Sequence, residues 1–189
     1  MRYPKEHKEQ VRERLLQASA RHAKAHGLAV SGVDALAGAA GVTSGALYKH
    51  FDGKTDLFGA LVEAELSRTA QRFAGIDAGD RPAIDKALRA YLSLGHVRHP
   101  EEGCALPSLT PEVARSSGAV REAFDAGLAD VHHEIARLSG SSQAGWTVLA
   151  LCVGAVMLSR ASADPRTQRE LLEAAEADVR RLLDAGAAS

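Results

Sequence analysis

Aromatic residues, cysteines and prolines are all scarce in this sequence. The 189 residues include one Trp, three Tyr and four Phe, together with two Cys and six Pro. The two cysteines, Cys104 and Cys152, cannot form a disulfide framework, and their spacing is not that of a zinc site. Alanine is abundant and alternating runs of β-branched residues are few, so the composition predicts an all-α fold.

Long hydrophobic runs are also missing. The longest lies around Val148 to Leu158, whereas a membrane-spanning helix needs about 20 apolar residues. The first ten residues, MRYPKEHKEQ, are charged and show no secretory signal. We therefore expect a cytoplasmic protein without a membrane partner, whose core is supported by 46% hydrophobic residues.

The sequence offers no pattern typical of a catalytic or metal site. Histidines occur in pairs, such as His22 with His26 and His132 with His133, but no third ligand or HExxH-type motif accompanies them. A nucleophile–base set and a glycine-rich phosphate loop are both absent. We therefore expect no enzymatic activity, no cofactor and no metal.

Charge of one sign does not dominate the whole chain, but its two parts differ. The formal net charge is −1. Residues 1–54 carry nine Lys and Arg against five Asp and Glu, whereas residues 55–189 carry fourteen against nineteen. A basic head on an acidic remainder is typical of a protein whose head alone touches DNA. Such a difference also arises by chance, so it counts only beside a DNA-binding motif.

Two short apolar stretches separated by Gly41 supply that motif. From Val33 to Phe51 the chain reads VDALAGAAGVTSGALYKHF, and the first stretch has apolar residues at i, i+3, i+4 and i+7 of a helix. Gly41 tolerates the positive φ of a tight corner, and Thr43 or Ser44 can cap the next helix. Such a pair of helices describes a helix-turn-helix, whose second helix can enter the major groove of DNA.

The stretch from Ala37 to Leu57 resembles the DNA-binding head of the TetR family of bacterial transcriptional regulators. The shared features are an Ala-Gly-Val turn, a small hydroxylic pair, Gly-Ala-Leu-Tyr, a basic residue, His-Phe, and Lys before an acidic-Leu pair. The resemblance is detailed over roughly residues 10–65. It implies a homodimer on double-stranded operator DNA, and a C-terminal helical domain that binds a small-molecule effector and releases the heads.

The resemblance also assigns DNA contacts to residues of the head. Tyr48 and His50 match the phosphate-contacting pair, Lys54 lies at a helix N-terminus, and Ser31 stands where a Thr usually opens the second helix. The alternative is that Tyr48 and His50 complete the core of the head. The predicted contacts are Ser31, Thr43, Ser44, Gly45, Tyr48, Lys49, His50 and Lys54.

Periodicity and turn residues predict about nine helices, one of which runs from Asp80-Arg81-Pro82 to about Arg98. The resemblance implies that residues 1–53 form the DNA-binding head and residues 54–189 the ligand-binding and dimerisation domain. The last two helices are the predicted dimer interface, and an intramolecular core is the alternative. Its residues are Val153, Met157, Leu172, Ala175, Val179 and Leu182.

The effector pocket is predicted among the helices of the second domain. Its aliphatic lining favours an apolar or amphipathic effector. The candidate walls are Leu94, Cys104, Leu106, Leu109, Phe124, Leu128 and Trp146.

The function predicted from these features is a ligand-responsive regulator, most simply a repressor. One alternative is a redox- or electrophile-responsive regulator acting through Cys104, because a thiolate near a helix N-terminus is reactive. A buried, inert Cys104 is the competing interpretation. A small-molecule-binding protein or enzyme with an incidental helix-turn-helix is a further alternative.

Overall fold

The computed structural model describes residues 5–187, with side chains from 8 to 186. Residues 1–4, which belong to the charged start of the sequence, lie outside the described residues. The described residues fold into ten α-helices, which confirms the all-α prediction. The helices are α1 Lys5–His26, α2 Val33–Ala39, α3 Ser44–Leu47, α4 Lys54–Ala74, α5 Arg81–Tyr91, α6 Leu94–Arg98, α7 Leu106–Val113, α8 Gly118–Ser139, α9 Ser142–Ala161 and α10 Pro165–Ala187.

The count is ten because the helix predicted over residues 81–98 is two helices. Leu92 leaves helical geometry with φ −88° and ψ 53°, and Ser93 then caps α6 by accepting a hydrogen bond from the amide of His96. Serine at a cap competes with the continuing helix for backbone donors. The break turns the short α6 back toward α9, against which it packs.

Helices α1 to α3 form the head, and two glycines make its corners. Gly27 ends α1 with φ +84°, and Gly41 turns the chain between α2 and α3 with φ +69°, as the sequence predicts. Leu36 and Leu47 are fully buried between the helices. This apolar contact fixes the angle between α2 and α3.

The body is built around α4 and α8, which pack along much of their length, and α9 and α10 complete it. Gly127 of α8 lies so close to Leu66 of α4 that an added Cβ would stand 2.7 Å from the leucine Cβ. Gly145 of α9 approaches Ala136 of α8 in the same way. The long helices therefore touch where one of them has no side chain.

The inner face of α10 is buried within one chain, so part of the predicted dimer interface is wrong. Leu172, Ala175 and Val179 are 4%, 6% and 1% exposed within one chain, so they already pack inside the body. Their seam is intramolecular, and a second protomer cannot reach it. Half-buried Val153, Met157 and Leu182 remain accessible from outside.

Among the described residues, α9 is the one helix long and apolar enough to cross a membrane by length and composition. It packs against α6, α7, α8 and α10, and one such helix is a weak indication because core helices meet the same criterion. Its outer face is apolar as well, with Leu158 59% exposed.

Candidate functional site

Helix α3, the candidate recognition helix, is held by its buried side. Thr43 caps it by accepting a hydrogen bond from the amide of Ala46 at 3.3 Å. Leu47 is buried beneath it and Phe51 beyond it. Tyr48 is therefore turned outward and is 55% exposed, and Lys49 is exposed beside it. This geometry leaves small and polar side chains on the outer surface.

A basic cluster surrounds His50, which is half-buried. Burial, followed by the positive charges of Lys8, Arg12 and Lys49, lowers the pKa of His50 below its ordinary 6.5. Arg12 lies over the ring of Phe51, 5.2 Å from its centroid. The cluster makes this face electropositive, as a phosphate backbone requires.

Lys54 connects the start of α4 to the loop between α1 and α2. Its Nζ donates a hydrogen bond to the carbonyl oxygen of Ala29 at 3.0 Å. A lysine ammonium has three donors, so two remain available to a phosphate.

The side chain of Ser31 is not placed for the DNA contact that the resemblance implies. It is 4% exposed, and its hydroxyl donates to the carbonyl oxygen of Gly27 at 2.6 Å. Gly32, not Ser31, is the N-cap of α2. Because its hydroxyl is buried and already bonded to Gly27, Ser31 does not offer the phosphate contact that the resemblance implies.

A buried ion pair fastens the head to the body. Lys24 of α1 and Glu65 of α4 are 2.8 Å apart, and both side chains are 6% exposed. Lys24 also donates to the carbonyl oxygen of Gly103 at 2.8 Å. Arg68 approaches the other oxygen of Glu65 at 2.6 Å. The end of α1 is therefore tied both to α4 and to the segment before α7.

Glu112, in the last turn of α7, provides a second attachment. Its two carboxylate oxygens accept hydrogen bonds from the amides of Leu28 and Ala29, at 2.9 Å and 2.8 Å. An added Cβ on Gly27 would stand 2.9 Å from one of these oxygens. The loop that leads into the helix-turn-helix is thus held by a carboxylate of the body.

An apolar cavity of about 60 Å³ lies in the middle of the body. Of the predicted pocket residues, Cys104 and Leu106 line this cavity, together with residues from α4, α5, α8, α9 and α10. The lining is Thr69, Phe73, Ile84, Ala87, Leu88, Tyr91, Cys104, Leu106, Val131, Ile135, Leu138, Ser139, Val148, Leu149, Cys152, Val179 and Leu183.

The other predicted pocket residues lie elsewhere. Leu109 is buried in the core, while Leu94, Phe124 and Leu128 pack at its margin. Trp146 is 46% exposed and stacks on His132, with ring centroids 3.8 Å apart. Helical spacing alone cannot tell a cavity wall from a filled core position.

A more polar depression of about 320 Å³, which we call the mouth, adjoins the cavity. Four residues line both spaces: Phe73, Ala87, Tyr91 and Cys104. The mouth is also lined by Arg72, Ala90, Gly95, His96, His99, Glu102 and Gly103.

His96 organises the wall of the mouth. Its Nε2 accepts a hydrogen bond from the amide of Cys104 at 3.0 Å, so Nδ1 carries the proton and donates to the carbonyl oxygen of Tyr91 at 2.7 Å. Burial, with the charges of Arg160 and Arg72 among the further causes, lowers its pKa below 6.5, although the bond to Tyr91 acts against this shift. The neutral ring therefore fixes Cys104 at the border of cavity and mouth.

Sequence reasoning missed the residues that make these long-range contacts: Lys24, Glu65, Tyr91, His96 and Glu112. Lys24 gives no local signal, because Arg21, His22 and His26 stand next to it in the sequence. No group of three His, Cys, Asp or Glu side chains that could hold a metal occurs among the described residues.

Comparisons with known proteins agree with this architecture. A family model described as bacterial regulatory proteins, tetR family, matches residues 15–61. A search of curated proteins found no match. Among solved structures, E. coli NemR in its reduced form superposes with a TM-score of 0.74 at 23% identity, covering 91% of this chain and 96% of the other.

Two further solved structures are similar over most of their lengths. A tetR-family transcriptional regulator from Streptomyces coelicolor has a TM-score of 0.70 at 19% identity, covering 95% of this chain and 83% of the other. The fatty acid degradation regulator FadR from Bacillus halodurans has a TM-score of 0.66 at 16% identity, covering 92% and 94%. The resemblance of the N-terminal part to the TetR family is thereby confirmed, and the chain has the fold that these solved regulators share.

Proposed function

We propose that this protein is a homodimeric repressor that a small-molecule effector releases from operator DNA. One observation carries the proposal: the segment from Gly103 to Glu112 both lines the cavity and holds the head. Cys104 and Leu106 line the cavity, while Gly103 and Glu112 hold the head through Lys24 and through the amides of Leu28 and Ala29. A molecule that widens the cavity would displace this segment and the head with it.

We further propose that residues 1–53 are the DNA-binding domain and residues 54–189 the effector and dimerisation domain. The DNA contacts come from the exposed side of α3 and the basic cluster next to it. Tyr48 and Lys49 are exposed there, and the positive charges of the cluster help to lower the pKa of His50. The proposed contacts are Thr43, Ser44, Gly45, Tyr48, Lys49, His50 and Lys54.

DNA binding is tested by fluorescence anisotropy with the duplex upstream of the protein's own gene. Lys49→Ala should weaken binding several-fold because a phosphate or base contact is lost. Lys86→Ala removes the same charge from an exposed site on α5 and should leave affinity unchanged. Failure to enrich any duplex from a random library would contradict DNA binding itself.

Effector control is tested by identifying what co-purifies with the C-terminal domain. Mass spectrometry names the molecule, and its addition should lower the affinity for DNA. In Glu112→Gln, one carboxylate oxygen becomes an amide NH₂ that cannot accept, so one of the two bonds to the head is lost. This variant should respond less to the effector, and an undiminished response would show that the segment does not transmit it.

The homodimer is proposed to form through the outer face of α9. Trp146 and Leu158 are 46% and 59% exposed, and Ala150, Val153 and Met157 lie on the accessible side of the same helix. Half-buried Leu171 and Leu182 extend the surface onto α10. Two such faces related by a two-fold axis form a four-helix bundle.

Sedimentation at micromolar concentration tests this interface. Leu158→Glu should convert the dimer to a monomer because it buries an unpaired carboxylate in the interface. Gln71→Glu introduces the same charge at an exposed site on α4 and should remain dimeric. A monomeric parent protein would refute the assembly.

A thiol-responsive regulator is the second candidate function. Cys104 is a free thiol at the border of the cavity and the mouth, and Thr69 Oγ1 lies 3.9 Å from its sulfur. A modification there would press directly on the segment that holds the head. Diamide or peroxide should release operator DNA from the parent protein but not from Cys104→Ser, and release that persists in the variant rules this candidate out.

A further inference from the structure

We propose that the effector is a slim, neutral carbonyl compound whose oxygen accepts a hydrogen bond from the hydroxyl of Tyr91. Its apolar part fills the cavity, and the remainder lies in the mouth. This inference rests on the proposed function, since it names the chemical class of the effector.

The lining of the cavity excludes a charged group from the buried part of the ligand. In the described part of the chain, no Asp, Glu, Lys, Arg or His side chain lines the cavity. An ion without a counter-charge or strong hydrogen bonds is very costly to bury in such surroundings. A carboxylate or ammonium group would therefore stay in the mouth or outside.

The hydroxyl groups around the cavity determine whether a polar atom of the buried ligand accepts or donates a hydrogen bond. The hydroxyl of Thr69 donates to the carbonyl oxygen of Glu65 at 2.9 Å, and that of Ser139 donates to the carbonyl oxygen of Ile135 at 2.7 Å. A hydroxyl has a single hydrogen to donate, so neither can serve a ligand as a donor. Tyr91 differs, because its Oη is buried and has no oxygen or nitrogen partner; the thiol of Cys104, which is only a weak acceptor, lies near it.

Tyr91 stays protonated and is therefore a donor. Burial, followed by its neighbours Cys104 and Cys152, raises the pKa of Tyr91 well above its ordinary value of 10. A buried hydroxyl left without a partner is unfavourable and uncommon in folded proteins. A carbonyl oxygen has lone pairs and no hydrogen, which is what the tyrosine hydroxyl requires.

The size of the cavity limits the shape of the ligand. Its volume of about 60 Å³ is well below the ~150 Å³ of an engineered apolar cavity that holds benzene. A short aliphatic chain enters more easily than a ring. The mouth, at about 320 Å³, has room for what the cavity cannot hold.

Three small probes of similar length test the inference on the full chain without DNA. They are 2-pentanone, which has a neutral acceptor, n-pentane, which has none, and butanoate, which is charged. Binding is followed by titration of side-chain methyl resonances in the parent protein and in Tyr91→Phe. The variant lacks only the unpartnered hydroxyl, and its affinity for n-pentane reports whether the cavity is intact.

The parent protein should bind 2-pentanone about three- to tenfold more tightly than Tyr91→Phe does, which corresponds to one hydrogen bond. Affinity for n-pentane should not change, and butanoate should bind at least about tenfold more weakly than 2-pentanone. Equal affinity of both proteins for 2-pentanone, stronger binding of butanoate or no saturable binding would overturn the inference. These titrations contain no DNA, so they test the inference about the effector alone. The repressor proposal is tested independently by the anisotropy measurement.

Discussion

Lys24→Met should destabilise the protein strongly because it leaves the carboxylate of Glu65 buried without its principal partner. Both side chains are 6% exposed and their charged atoms are 2.8 Å apart. Removing one member of a buried ion pair costs about 3–5 kcal/mol. Arg68 still contacts Glu65, but its guanidinium is half exposed, which favours the lower end of that range.

The cost translates into a measurable change in melting temperature. For a chain of this length, 1 kcal/mol corresponds to about 2–4 °C, so a loss of about 3 kcal/mol lowers Tm by about 6–12 °C. Urea unfolding at one fixed protein concentration gives the free energy, provided that the m-value is unchanged. Arg21→Met is the matched control, since Arg21 and Glu102 are both largely exposed and their pair contributes under about 1 kcal/mol.

A double variant separates burial of a charge from general loss of packing. In Lys24→Met with Glu65→Leu, no member of the pair is left unpaired in the core, and apolar replacements of buried pairs are often neutral or stabilising. We expect most of the lost stability to return. A single variant as mild as Arg21→Met, or a double variant as unstable as the single one, would refute this reasoning.

Three other expectations concern packing, pH and DNA. Gly127→Ala should cost about 1–3 kcal/mol in urea unfolding, since the new Cβ meets Leu66 at 2.7 Å, whereas Gly59→Ala on α4 has free space and should be neutral or stabilising. The folded state lowers the pKa of His96, so the unfolded chain binds more protons and stability should fall as the pH drops through 6.5, less steeply in His96→Gln. Lys54→Ala should weaken binding to all DNA sequences and reduce the salt slope by about one, and an unchanged slope would contradict a phosphate contact.

The features that the sequence predicts well are those decided within one or two turns of chain. The positive φ of Gly41 and the cap made by Thr43 depend on local backbone geometry, so neighbouring residues are sufficient to recognise them. The same locality explains the error at Ser31. A serine four residues after a helix-ending carbonyl can bond backwards, and here Gly32 takes over the cap.

The sequence predicts where helices lie better than it predicts what covers their buried faces. The seam of Leu172, Ala175 and Val179 correctly indicates a buried face, but periodicity does not say whether the same chain or another copy covers it. Trp146 is a predicted wall of the pocket, yet it is 46% exposed and stacks on His132. The attachment of Glu112 to Leu28 joins distant parts of the chain, which no local pattern reports.

The two attachments of the head restrict how a change in the cavity can reach DNA. Helix α7 spans Leu106–Val113, about 12 Å at 1.5 Å per residue, so it links the cavity directly to the loop before α2. Leu106 lines the cavity at one end and Glu112 holds the loop before α2 at the other. Hydrogen bonds near 2.8 Å tolerate only a few tenths of an ångström before they weaken. In the proposed mechanism, a displacement of Leu106 by an ångström either carries the head with it or breaks bonds from Glu112, and we expect either result to change the spacing of the two heads.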